Sequence, residues 1–452
     1  MLFRKIRKTI ANHLSSGSDK ILLVEGARQV GKSYIIRNVG EELFPNFIEL
    51  NFVKDNEGLQ IFKNVRSVED FYLLLSSMYG SRLGDCSDTL IFLDEIQEYP
   101  QYITWLKFLR EDRRYSFIAS GSFLGLSLRD TTSLPVGSVV RKEMYPLDFE
   151  EFLIANDFGA DVLAVMKQKF LQHESVMEGL HNRVMDLFRR YLLVGGMPDA
   201  VNAYIGTHNM SEIRQVQEDI HRMYLADASK YEEDYGKRLR IRRIYEMLPS
   251  QMENKKKRLV AKEIDDRKGA RFSQYREEFE YLLSSGIALG VDAISNPKFP
   301  LVESLVKNLV KLYMNDVGML TNLLFRYNVA PVLNDERSVN LGSVYESVVA
   351  QELQAHGHRL FYYDNRKVGE VDFIINDYAT LSPLPVEVKS GKDYTVHSAL
   401  TRFLSVKDYG IDRGIVFSNT REVSTGPKGI VYMPVYYVMF LDASAPAEPL
   451  LI

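Results

Sequence analysis

Two stretches of this 452-residue sequence combine residue types suited to phosphate chemistry. The first, Gly26-Ala27-Arg28-Gln29-Val30-Gly31-Lys32-Ser33, is a complete GxxxxGK[ST]. It follows the apolar run 21–25 and opens a helical pattern at Tyr34-Ile35-Ile36, the strand–loop–helix setting that gives the motif meaning. The glycines let backbone N–H groups face phosphate oxygens, and the helix N-terminus adds positive potential. Lys32 is then the cation for the β- and γ-phosphates of ATP, and Ser33 a ligand of Mg²⁺. A partner motif, Thr89-Leu90-Ile91-Phe92-Leu93-Asp94-Glu95, is an apolar strand ending in two acids. Asp94 would hold the Mg²⁺, usually through water, and Glu95 would polarise the attacking water. Ser122, beside Gly121 after the run 115–120, offers a hydroxyl near the γ-phosphate, although Ser-Gly-Ser is also an ordinary turn. No finger arginine stands out, and Arg113, Arg114, Arg129 and Arg141 read as solvated surface.

The second stretch begins Gly369-Glu370-Val371-Asp372-Phe373-Ile374-Ile375 and resumes at Pro385-Val386-Glu387-Val388-Lys389. Residues i and i+2 of a strand share a face, so Glu387 and Lys389 point together while Val386 and Val388 enter a core. If the two segments pair as a hairpin, Asp372 approaches Glu387, an oxygen-rich site suited to Mg²⁺ or Mn²⁺. Lys389 would then steady a metal-activated water attacking a phosphodiester. Glu346, on the helical pattern 344–353, is a candidate third acid. A plain cross-strand salt bridge is the alternative for Glu387 and Lys389. His221, His356, His358 and His397 form no cluster and read as surface or satisfied groups.

These residues need a frame. From Lys20 to about Pro146, apolar runs at 21–25, 46–53, 89–95, 115–120 and 138–146 alternate with helical patterns, which predicts a mainly parallel sheet covered on both faces. Val184, Leu187, Phe188, Tyr191 and Leu192 follow helical spacing, broken at Gly195-Gly196 and Pro198. Between Lys237 and Arg276 there are 14 Lys and Arg against 5 Asp and Glu, a local +9 in a chain of net charge −4. Helices over 238–248, 260–265 and 273–284 with a strand over 287–294 suggest a winged helix-turn-helix. That patch suits DNA or an acidic surface of the chain itself. Strands are expected again at 371–375, 385–389, 414–417 and 435–440. The net charge excludes a globally basic nucleic-acid coat. The single Cys86 excludes a disulfide framework or thiolate zinc cage and fits a reducing cytoplasm. No run approaches the ~18 apolar residues of a membrane span, and the basic N-terminus lacks the apolar stretch of a secretory signal. The expectation is a cytoplasmic protein without a membrane partner.

The order of these blocks resembles a large family of prokaryotic AAA-type ATPases with a C-terminal domain of unknown function, itself similar to the PD-(D/E)xK nuclease superfamily. Matching blocks lie at 26–33, 90–97, 121–125, 144–153, 191–199, 311–318, 370–372 and 385–392, nearly the length of the chain. The resemblance implies an α/β chain with a P-loop AAA-type ATPase core (1–150), a helical lid (151–230), a winged-helix-like basic domain (231–300) and a PD-(D/E)xK nuclease-like domain (301–452). It places the nucleotide chemistry on Lys32, Ser33, Asp94 and Glu95, and a nuclease core on Asp372, Glu387 and Lys389 with Glu346 as helix acid. Implied cofactors are ATP and Mg²⁺, with a second Mg²⁺ or Mn²⁺ at the C-terminal site, and oligomerisation is left open. Two functions compete: an ATP-driven enzyme acting on nucleic acid, and a nucleotide-dependent switch whose degenerate nuclease fold binds a protein.

Overall fold

Apolar runs bounded by polar turns become the strands of two separate sheets in the computed structural model. It describes residues 1–85, 87–122, 137–227, 232, 234–253, 264, 272–336, 339, 341–391 and 394–443. The chain divides into two units, Phe3–Tyr145 with Ser284–Ile287, and Pro146–Leu283 with Ala288–Ile452 and Met1–Leu2.

The N-terminal unit is built on β1 (Ile21–Glu25), β2 (Asn46–Asn51), β3 (Thr89–Asp94), β4 (Ser116–Gly121) and β5 (Val139–Glu143), all paired in parallel. Their order is β2-β3-β4-β1-β5. β1 and β3 are buried along their whole length, as continuous apolar runs inside a covered parallel sheet must be. β1 lies between strands that follow it from opposite directions, and open α/β sheets bind ligands beyond the carboxyl ends of strands at such a point. The expected strand 46–53 stops at Asn51, whose side chain accepts from Lys54 N–H at 2.9 Å and starts the helix Phe52–Glu57 instead. Phe52, Phe71, Tyr99 and Tyr102 pack beneath one face of the sheet.

The C-terminal unit opens with helices Phe149–Ala155, Ala160–Leu171, Glu178–Val194, Pro198–Thr207 and Met210–Asp227. Asp148 and Glu151 form a reciprocal capping box on the first. The last carbonyls of Glu178–Val194 need donors. Arg214 supplies one to Leu193 at 3.1 Å, Thr321 one to Leu192 at 2.8 Å, and Gln217 reaches Val194 at 2.9 Å. Gly195 then turns the chain at φ +72°, where a Cβ would overlap the Asp316 carboxylate. Asp316 accepts from Gly196 N–H at 2.6 Å and caps the helix Val317–Phe325 through Met319 N–H at 2.9 Å.

A mixed sheet completes this unit: β6 (Ala288–Ile294), β7 (Leu305–Met314), β8 (Phe361–Asn365), β9 (Gly369–Asp377), β10 (Ser382–Lys389), β11 (Gly414–Ser418), β12 (Ser424–Thr425) and β13 (Ile430–Pro434). The order is β12-β13-β11-β10-β9-β8-β6-β7. The helix Gly342–Ala355 packs on it and is buried from Ser343 to Leu353. One expectation is corrected here. Residues 435–440 form a 3₁₀ helix, not a strand, because Pro434 ends β13 and a short, wholly buried apolar run carries no decisive period. β6 pairs with both β7 and β8, so β6 and β7 belong to the same sheet as β9 and β10. The expected helix 260–265 lies outside the described residues except for Ile264, as do Lys255, Lys256, Lys257 and Arg258.

Burial raises Asp316 to about 6, against the pull of the N–H groups it accepts from Gly196, Met319, Gly318 and Met197. A carboxyl raised above its unfolded value of 3.8 favours the folded state below pH 4, and that contribution fades as pH rises through about 6. Asp316→Asn should lower stability at every pH by losing an acceptor. Its deficit relative to the parent should shrink between pH 4 and 7 by roughly 2–3 kcal/mol. Urea denaturation across that range reads the gap, and a constant gap would contradict the assignment.

Candidate functional sites

The loop after β1 bends through Gly26 (φ +149°), Gln29 (φ +65°) and Gly31 (φ +95°) into the helix Lys32–Leu43. Gly26 cannot carry a side chain, because a Cβ would overlap the carbonyl oxygen of Met144, just past β5. Arg4 holds the far side of the loop, donating to Val30 O at 2.8 Å. Lys32 is buried and donates to Gly26 O at 2.9 Å, Ala27 O at 2.8 Å and Ser122 Oγ at 2.8 Å. Burial lowers its pKa, opposed by the nearby carboxylates of Glu95 and Asp94. Asp94, at the end of β3, receives Ser33 Oγ at 2.8 Å, Ser120 Oγ at 2.5 Å and Asn51 Nδ2 at 2.7 Å. Its pKa is raised, chiefly by burial, and all three of these donors are neutral. Glu95 sits at φ +55°, in the left-handed region, held by Gln97 Nε2 at 2.5 Å. Gln97 also accepts the N–H of Ser122 at 3.1 Å.

In the C-terminal unit β9 and β10 pair antiparallel with Phe373 opposite Val386, which sets Glu387 across from Asp372. The hairpin expected from the sequence is present. Asp372 Oδ2 accepts Val388 N–H at 3.0 Å, and Lys389 Nζ lies 2.7 Å from Glu387 Oε1. Burial first, then Asp372, pushes Glu387 up to about 8, while Lys389 pulls it down. Burial would lower Lys389, but the Glu387 carboxylate outweighs it and leaves the ammonium above its usual value. Glu387 Oε2 is buried without a hydrogen-bond partner among the described residues. Glu346, buried on the helix Gly342–Ala355, is close enough to act electrostatically on both Glu387 and Lys389. Among the described residues, no group of three or more His, Cys, Asp or Glu side chains is placed to hold a metal ion.

Residues 18–153 match the family described as AAA domain. They form an AAA domain, of the P-loop ATPase type. Residues 185–328 and 341–438 match two domains of unknown function, DUF8612 and DUF4143. No curated protein matches the chain. Among solved structures it is similar to the Walker-type ATPase PABY2304 of Pyrococcus abyssi, at 14% identity and TM-score 0.43 over 72% of this chain and 96% of that one. It is also similar to the Aeropyrum pernix ORC1 protein in complex with DNA, at 13% identity and TM-score 0.29 over 74% and 93% of the two chains. No helix among the described residues is long and apolar enough to cross a membrane.

The AAA domain thus brings Lys32, Ser33, Asp94 and Ser122 into one hydrogen-bonded group, with Glu95 at its edge. Sequence reasoning missed Asn51, Ser120 and Gln97, which fix the two acids. Ser120 could have been found as the partner of Ser122 across Gly121, whereas Asn51 needed the β2–β3 register that sets it beside Asp94. Of the four arginines read as solvated, Arg141 pairs with Glu25 through both ends of its guanidinium, Arg114 stacks 4.5 Å over Tyr72, and Arg113 reaches Asp19 at 3.9 Å. Arg129, with the block residues Phe123, Leu124 and Gly125, lies outside the described residues. Of the histidines, His397 meets Tyr432 Oη at 2.6 Å and His358 meets Leu441 O at 2.9 Å, His356 Nε2 lies 3.4 Å from Asp148, and His221 stacks on Tyr245 with no hydrogen-bond partner for its Nδ1 among the described residues.

The Lys389–Glu387 pair makes a pH-dependent prediction. Glu387 is raised from 4.5 to about 8, so below that pH the folded state keeps its proton and depends little on Lys389. Above it, Lys389→Met leaves a buried carboxylate uncompensated. The variant's stability deficit should grow as pH rises through about 8, reaching about 1–3 kcal/mol. Thermal denaturation at pH 6.5 and 9 measures it, and equal deficits would contradict the pairing.

Proposed function

We propose that the chain hydrolyses Mg²⁺-ATP with Lys32, Ser33, Asp94 and Glu95, and acts on nucleic acid through a divalent-metal, nuclease-like site built on Asp372, Glu387 and Lys389. The observation that carries the first half is the preassembled contact between Ser33 Oγ and Asp94, made by neutral donors around a buried acid. Such an acid fits a cation, which would satisfy its charge where hydroxyls and an amide do so only in part. Ser33 and Asp94 would hold Mg²⁺, which would supply positive charge to the phosphates of ATP. Lys32 would exchange the carbonyls of Gly26 and Ala27 for phosphate oxygens. Glu95, braced by Gln97, orients the attacking water, and Ser122 moves from Lys32 to the γ-phosphate.

The second half is supported by the pairing of Asp372 with Glu387 beside one lysine, and by Glu387 Oε2, which has no hydrogen-bond partner among the described residues. A divalent cation there would supply an activated water. Asp372 and Glu387 would hold it, Glu346 would act from the helix, and Lys389 would steady the water. The basic stretch Lys237–Arg276 proposed for DNA includes the exposed Arg242 and Arg243 on the helix Tyr235–Glu253, and Lys255, Lys256, Lys257 and Arg258. Part of that stretch is already spent internally, since Lys237 pairs with Glu277 and Arg240 with buried Glu278, each at 2.6 Å. The second reading, a switch with a degenerate nuclease fold, is favoured by the Lys389–Glu387 ion pair, which neutralises the site without metal.

Three variants separate these readings. Lys32→Ala should lose ATP binding, and Glu95→Gln should bind ATP but turn it over at least 10²-fold more slowly. Asp372→Ala should abolish cutting of labelled single- or double-stranded DNA with Mg²⁺ or Mn²⁺ while leaving ATP turnover intact. Absence of cutting by the parent under every combination, with and without ATP, would favour the switch. Neutralising Arg242, Arg243 and the four basic residues 255–258 should weaken DNA binding and flatten its salt dependence. An unchanged affinity in a filter-binding salt series would return the patch to an internal role.

A further inference from the structure

In the C-terminal unit the helices Met210–Asp227 and Val317–Phe325 pack against each other and border a cavity of about 280 Å³. Three arginines line it, Arg214, Arg222 and Arg326, with a single acid, Glu218. That acid is already taken, since it pairs with Arg222 at 2.5 Å one turn along the same helix. The other two guanidinium charges have no carboxylate among the residues of the cavity wall.

Arg214 decides the reading. It is only 2% exposed, and its Nε donates to Arg326 O at 2.9 Å. Its Nη1 faces Gln217 Oε1 at 2.8 Å, Leu193 O at 3.1 Å, Gly318 O at 3.2 Å and Thr321 Oγ1 at 3.3 Å. All of these acceptors are neutral. Burial lowers the guanidinium to about 10, and the Asp316 carboxylate opposes that shift. Nη2 is buried with no hydrogen-bond partner among the described residues. An unmade bond is most costly when the buried donor is charged. A second such atom belongs to the same cavity wall: His221 Nδ1 is buried without a partner among the described residues, while its ring stacks on Tyr245. Seven positions separate the two residues, so they share one face of the helix, about 10 Å apart along its axis.

Arg326 adds a backbone signal. It ends the helix Val317–Phe325 at φ +47°, where glycine is the usual residue. A glycine would keep that turn, and its carbonyl contact with Arg214, but would remove a cation from the cavity.

We propose that this cavity binds a small organic phosphate, with the phosphoryl oxygens on Arg214 and Arg326 and the organic part reaching His221. A phosphomonoester carries close to two negative charges at neutral pH, matching the two guanidinium groups, and its oxygens suit the arginine fork. The volume lies near the small end of the ~300–1,000 Å³ of small-molecule sites, and Met319, Leu323 and Tyr327 give it an apolar wall. An inorganic ion reaches one of the two unpartnered nitrogens, whereas a molecule about 10 Å long reaches both. None of Lys32, Asp94, Asp372 and Glu387 lines this cavity, so the inference stands apart from the function proposed above.

Calorimetric titration of the full chain with 4-nitrophenyl phosphate at pH 7.5 tests this, on a Lys32→Ala background that silences the phosphate loop. Saturable binding is expected, with weaker binding of inorganic phosphate and of 4-nitrobenzoate. Arg326→Gly, which relieves the backbone and deletes the cation, should weaken binding about tenfold, and so should Arg214→Lys, which keeps the charge but not the fork. His221→Phe preserves the stacked ring and should weaken 4-nitrophenyl phosphate several-fold while leaving inorganic phosphate unchanged. Melting temperatures of Arg326→Gly and His221→Phe should stay at the background value. No saturable binding of any probe up to about 10 mM overturns the proposal. So does binding that Arg326→Gly and His221→Phe both leave unchanged, and equal affinity for 4-nitrobenzoate overturns the phosphate assignment.

Discussion

A carboxylate taken out of water must find donors, a cation or a proton, and the different ways this chain meets that demand separate its scaffold from its chemistry. Asp316 meets it with backbone N–H groups from the Gly196 turn and from the helix it caps, donors that cannot leave. Asp94 meets it with two hydroxyls and an amide, each able to rotate toward another acceptor. Glu387 meets it with Lys389 on one oxygen and, among the described residues, no donor on the other. The first solution is permanent. The other two hold a buried acid in place while leaving it open to a stronger cation.

Backbone groups do similar work over residues 144–149. Met144 N–H donates to Glu25 O at 2.7 Å, and its carbonyl lies where a side chain on Gly26 would go, so it roofs the phosphate loop. Three residues later, in the other unit, Leu147 N–H donates to Gly196 O at 2.7 Å and Leu147 O accepts Tyr191 Oη at 2.5 Å. Phe149 N–H donates to buried Glu352 at 2.9 Å, on the helix that also carries Glu346.

What was legible in the sequence followed from local rules. The P-loop needs its strand, glycines and helix contiguous, and β1, the loop and the following helix fall where the motif put them. The β9–β10 hairpin was readable because a nine-residue gap between alternating segments allows little else. Illegible were features set by partners distant in sequence. Asn51 reaches Asp94 only through parallel register, and Arg141 finds Glu25 across neighbouring strands. The run 435–440 failed for the opposite reason: buried on all sides, it offered no polar residue to mark a period.

The C-terminal cluster also shows why a lysine two residues from an acid says little by itself. On β10 the pair Glu387 and Lys389 satisfies itself, which is sufficient for a salt bridge. Burial and the neighbouring Asp372 raise Glu387 to about 8, so near neutral pH the pair balances its charge with a proton as well as with Lys389. The alternation along β10 puts both side chains on one face, and it is the opposite strand, through Asp372 and the Val388 N–H it accepts, that makes the surroundings of that pair acidic.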